Sequence, residues 1–144
     1  MWIQDEETSN TVGATMKAYT NIKQSKKLAD ILPLDSADNT YKRVVIAGCN
    51  LDIPEEQQYI HDDTPFTFFS GVGVPCWSLA ALLSVLPSVI TRNDKRMFLT
   101  MEKAGAYNLY YKSPDRLDEL WETDFEPIDA CYEMILKLHE QKLL

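Results

Sequence analysis

Cys76 is the side chain with the best claim to chemistry. It lies in Pro75-Cys76-Trp77-Ser78, just ahead of an apolar run that predicts a helix. The unpaired N–H groups of a helix N-terminus favour a thiolate, and the thiolate is the nucleophile. A nucleophilic thiol also needs a base within hydrogen-bond reach. The chain has two histidines, His61 upstream and His139 near the C-terminus. One reading is therefore a thiol-dependent hydrolase or transferase that uses Cys76, with His61 or His139 as base. The competing reading makes Cys76 a small apolar residue at a helix entry, because free cysteines are commonly buried and inert.

The Cys76-Trp77 step resembles the nucleophile region of papain-like proteases, but the glycine-rich approach is missing and the only histidine after the cysteine is His139. Metal and phosphate chemistry have less support. His61-Asp62-Asp63 places ligands in a row, and adjacent residues seldom converge on one ion unaided. The three cysteines, Cys49, Cys76 and Cys131, are too scattered for a structural zinc site. Asp52, Asp62 and Asp63 lack the spacing of a calcium loop. Gly71 and Gly73 give Gly-x-Gly without a third glycine or a Lys-Ser/Thr step, and Pro75 removes a donor. The sequence predicts no metal and no cofactor.

Binding has a better candidate. Tyr107, Tyr110, Tyr111 and Trp121 concentrate aromatic rings on two segments expected to be strands. Alternation sends Tyr107 and Tyr111 to the face opposite Tyr110. One set belongs to a core, and the other can form a recognition surface, since Tyr and Trp dominate binding hot spots. The same ring types serve single-stranded nucleic acid, but that use needs a basic groove. Lys103, Lys112 and Arg116 supply only a thin one, and the net charge is −8. The charge disfavours binding to phosphate backbones. A protein partner, self or host, is the expectation.

The elements that must hold these residues are legible mainly from Val74 onward, as an αββ(β)α unit. Ser78 can cap a helix over Leu79 to Leu86, which Pro87 closes. That helix is apolar on almost every side and predicts burial all round. Met97–Glu102 and Ala106–Tyr111, around Lys103-Ala104-Gly105, read as a hairpin. Leu117 to Thr123 reads as a third strand with Leu117, Glu119 and Trp121 on one face. Pro127 suits a first helical position. Ile128, Cys131, Tyr132, Ile135 and Leu138 follow helical spacing, with Met134 widening the stripe. Leu79, Leu82, Leu83, Leu86, Ile128, Cys131, Ile135 and Leu138 are expected to form one buried cluster with Leu99 or its strand neighbours.

The first half is less regular. Residues 1–15 are polar and read as an N-terminal extension, with Met16 as a second possible start. Thr20 can cap a helix from Asn21 to Leu32, with Lys23, Lys26 and Lys27 on its wet face and Pro33 after it. Tyr41 to Ala47 is β-prone, residues 50–65 read as an acidic loop, and Phe66–Phe69 as a short strand. The fold class that follows is α+β: a small antiparallel meander of about three strands packed against two or three helices, in one domain over residues 16–144. Apolar content of 45% and charged content of 25% are ordinary for such a domain. No run approaches a membrane span, and the N-terminus has neither the basic start nor the apolar core of a signal peptide. An odd cysteine count without paired spacing fits a reducing cytoplasm.

Three stretches together resemble a known group of proteins: Gln24 to Asp38, Val74 to Leu83, and Asp129 to Leu138. They are similar to a family of small proteins from gut Bacteroidetes genomes and their phages or mobile elements. The resemblance covers most of residues 16–144 and brings no assigned chemistry, so no catalytic residue transfers. It implies a cytoplasmic accessory protein of phage or mobile-element type, and the missing catalytic motif, the acidic charge and the aromatic sheet make a non-enzymatic interaction protein the expectation.

Overall fold

The computed structural model describes residues 16–43, 59–61 and 73–144, with the backbone alone described at 42, 43 and 59–61. The extension at 1–15, the end of the Tyr41–Ala47 run, Cys49, Asp62, Asp63, the Phe66–Phe69 strand and Gly71 lie outside the described residues.

Helix α1 spans Ile22–Ala29. Its cap is Asn21, not the expected Thr20. The Asn21 side chain accepts from the Gln24 amide at 2.8 Å, and Gln24 Oε1 accepts from the Asn21 amide at 3.0 Å. This reciprocal pair satisfies two backbone donors at once, which one threonine hydroxyl cannot do. Thr20 is instead buried, where its hydroxyl accepts from the Trp77 amide at 3.1 Å and pairs with the Ser25 hydroxyl. Lys23, Lys26 and Lys27 form the exposed face as expected, while Ile22, Ser25 and Leu28 are buried. The helix stops three residues short of the predicted Leu32, because residues leading into Pro33 disfavour the helical backbone.

After a short 3-10 turn at Leu34–Ser36 comes strand β1, Asn39–Arg43. It is the centre of a three-stranded antiparallel sheet, with β2 (Tyr59–His61) on one side and β3 (Val74–Cys76) on the other. Two expectations change here. Residues 59–61 are a strand inside the predicted acidic loop, and β1 supplies the backbone partner that composition does not reveal. Cys76 ends a strand rather than starting a helix. Helix α2, Leu79–Val85, begins three residues later with Ser78 as its cap, the hydroxyl accepting from the Ala81 amide. Only Ala81 and Leu82 of α2 are fully buried, and Ala80 and Ser84 are exposed, so the helix is one-sided rather than enclosed.

The second sheet is a four-stranded antiparallel meander in the order β4-β5-β6-β7. Strand β4 is Val89–Arg92, β5 Lys95–Ala104, β6 Ala106–Lys112 and β7 Glu119–Asp124. The predicted hairpin pairs in register from Phe98↔Lys112 to Ala104↔Ala106, and Gly105 (φ 76°) makes the turn. Strand β4 is one more than the three predicted. Asn93 (φ 53°) and Asp94 (φ 62°) both sit in the left-handed region, the backbone of a type I′ two-residue turn. Leu117 falls in the loop before β7 and is exposed, so the third predicted strand starts two residues late.

Helix α3, Pro127–Glu140, opens on Pro127 as expected and lies across β6, β7 and α2. Its buried stripe of Ile128, Ala130, Cys131, Met134, Ile135 and Leu138 meets Leu82 and Leu86 from α2. Ile90, Met97, Leu109, Tyr111 and Leu120 from the meander complete the wall, and Leu28 and Trp77 bring in α1 and the segment after β3. Leu79, Leu83 and Leu99 pack against this cluster half-buried. The fold is α+β.

Candidate functional site

Strand alternation divides the meander into two faces of different character. The core face carries Ile90, Met97, Leu109, Tyr111 and Leu120, all buried. The outer face carries Val89 and Thr91 from β4, Arg96, Phe98, Thr100 and Glu102 from β5, Asn108, Tyr110 and Lys112 from β6, and Glu119, Trp121 and Thr123 from β7. Each of these is exposed or half-buried. All three described helices contribute to the core on the opposite side.

The outer face is organised around an aromatic pair. Tyr110 and Trp121 are directly opposed in the β6–β7 register, with ring centroids 4.7 Å apart and planes 5° from parallel. That separation equals the spacing of adjacent strands, so the rings stand side by side like rungs. Lys112 Nζ lies 5.0 Å from the Tyr110 centroid. A short polar chain steadies Trp121: its Nε1 donates to Thr123 Oγ1 at 2.6 Å, which donates to Asn108 Oδ1 at 2.8 Å. Trp121 is 40% exposed despite the stack, and Phe98, two strands away on β5, is 45% exposed under the Arg96 guanidinium. Phe125, just past β7, is 81% exposed. Sequence reading missed Phe98 and Phe125. The signal for Phe98 was its neighbour Met97, which had to be the core residue if the helical stripe of α3 was to be covered.

The four predicted binding aromatics therefore separate. Tyr110 and Trp121 meet on the outer face. Tyr111 is fully buried and donates to the Pro87 carbonyl at 2.5 Å; burial, with Cys131 nearby, raises its hydroxyl far above the usual phenol range. Tyr107 is on the core side at the turn end of the hairpin, half-buried, with its hydroxyl on Met16 Sδ at 3.2 Å and Lys103 above the ring.

The thiol candidates lie on separate elements. Cys76 and Cys131 are fully buried, and burial pushes the Cys131 thiol up to about 12. His139 is exposed in the last turn of α3. His61 pairs with Tyr41 on one side of β1, while Cys76 pairs with Asn39 on the other. Two strand spacings and two residues of rise put their Cα atoms about 12 Å apart. Among the described residues no three His, Cys, Asp or Glu side chains are placed to hold a metal ion, and no helix is long and apolar enough to cross a membrane.

No family model, curated protein or solved structure matches this chain.

Proposed function

We propose that this is a non-enzymatic interaction protein that binds another protein through the outer face of the meander. The observation that carries this reading is the Tyr110–Trp121 stack standing in the open, next to an exposed Phe98. Rigid aromatic rings give large contact area at small entropic cost, which is why they anchor interfaces. The partner surface that fits is apolar at its centre and close to neutral. Two cations, Arg96 and Lys112, balance two carboxylates, Glu102 and Glu119, so the face has no basic groove for a phosphate backbone. The buried position of Cys76 argues against the thiol-dependent alternative. A cytoplasmic accessory role of phage or mobile-element type fits the three-stretch family resemblance.

The test is a comparison of wild type with Phe98→Ser/Trp121→Ser in quantitative crosslinking and co-purification. Proteins held by the wild type, including its own copies, should be lost with the double variant while far-UV circular dichroism stays unchanged. Equal capture by both proteins would sink the reading.

A further inference from the structure

We infer that the partner on this face is a second copy of the chain, packed face to face about a two-fold axis. The inference rests on the interaction reading above and names its occupant. A two-fold interface uses the same patch on both subunits, so the patch must be complementary to itself. The outer residues of β5 meet that condition: Arg96, Phe98, Thr100 and Glu102 run from basic through apolar to acidic.

An axis crossing the strands between the Phe98 and Thr100 rows sets each β5 against its mate in reverse. Arg96 then faces the second copy's Glu102, and Phe98 faces Thr100. The register carries the same operation to β6. Lys112 shares a row with Phe98, and Tyr110 with Thr100, so Lys112 comes to face the second copy's Tyr110. That repeats between subunits a cation–ring contact already made within one.

The face is also balanced within itself, with two cations, Arg96 and Lys112, against two carboxylates, Glu102 and Glu119, so two copies can meet there without net repulsion. The competing route, strand addition at the sheet edges, is obstructed. On the edge strand β7, Lys137 Nζ occupies the Trp121 carbonyl at 2.7 Å and pairs with Glu122. The other edge, β4, is four residues long. Short edges and edge lysines discourage end-to-end pairing.

Sedimentation equilibrium from micromolar to millimolar protein at low salt tests this. Wild type should pass from monomer to dimer mass. Arg96→Glu and Glu102→Arg each put like charges together twice per dimer, so each should weaken dimerisation by at least about tenfold. The double variant Arg96→Glu/Glu102→Arg restores opposite charges and should recover the wild-type constant. Both side chains are exposed, and unchanged melting curves will show that the fold is intact. A monomer at every concentration overturns the dimer; the interaction reading survives if Phe98→Ser/Trp121→Ser still abolishes capture of a different protein. A dimer indifferent to both charge reversals overturns the face-to-face arrangement, and one indifferent to Phe98→Ser/Trp121→Ser as well overturns both proposals.

Discussion

Leu82 and Ile135 are each fully inaccessible and lie in the same apolar cluster. Truncating such a side chain removes its transfer energy and leaves a cavity, together ~2–5 kcal/mol. Domains of this size are stable by only about 5–15 kcal/mol. Leu82→Ala and Ile135→Ala should therefore each lower the melting temperature by many degrees, whereas Lys23→Ala on the wet face of α1 should leave it nearly unchanged. Differential scanning calorimetry on the three variants decides it. Cys76 and Cys131 make a second residue-level prediction. Both are enclosed, and the Cys131 thiol is held up to about 12 by desolvation. Iodoacetamide followed by peptide mapping should leave both unmodified at neutral pH until denaturant opens the fold. Labelling of Cys76 in the native state would revive a nucleophilic thiol.

Among the elements, the loop between β6 and β7 is tied down by charge. Arg92 reaches Asp118 with two nitrogens and Gln141 with a third. The guanidinium holds the Asp118 carboxyl below the usual carboxylate range. The Ser113 hydroxyl, the Leu117 amide and Lys95 bring Asp115 to about 2. Both acids thus bind a proton less readily folded than unfolded. Their contribution is complete above the ordinary carboxylate pKa and is lost as pH falls through the folded values, from about pH 4 downward. Melting temperature should drop across that window, and Asp118→Asn should flatten the drop. The Asn93-Asp94 turn gives another expectation. Asp94→Val, forcing a β-branched residue into left-handed backbone, should cost roughly 1–2 kcal/mol, while Asp94→Gly should be tolerated. This turn also marks the limit of what the sequence shows. Helix α3 and the β5–β6 hairpin were legible because each carries its own period and its own terminator, Pro127 and Gly105. Strand β4 was not, since Val89-Ile90-Thr91 is too short to have a period, and Asn-Asp is a less familiar turn pair than Asn-Gly. The placement of Tyr111 needed the sheet register: alternation separates it from Tyr110 but does not say which face meets α3. Cys76 was misplaced because Val74-Pro75-Cys76 is too short to show a strand period and runs almost directly into the Ser78 cap of α2.

For the whole molecule, the single cluster that joins α1, α2, α3 and the meander predicts one cooperative transition. Trp77 lies inside that cluster, its Nε1 donating to Ser36 Oγ at 2.9 Å. In a Trp2→Phe/Trp121→Phe background its fluorescence should therefore report unfolding at the same denaturant concentration as far-UV circular dichroism, the usual sign of two-state behaviour. Divergent curves would show that the three-stranded sheet and the meander part company before the core opens. The asymmetry of the meander is also a property of the whole: one face carries the core, while the other is left aromatic and locally neutral on an acidic protein.

The upright stack of Tyr110 on Trp121 has an optical consequence. Two nearly parallel rings with centroids 4.7 Å apart transfer excitation efficiently, so light absorbed by Tyr110 is emitted by Trp121. Trp121 sits half in water, and any molecule that covers it must shift its emission to shorter wavelength. The protein thus carries a native fluorophore at the place where contact is proposed, readable in a Trp2→Phe/Trp77→Phe background without attaching a dye.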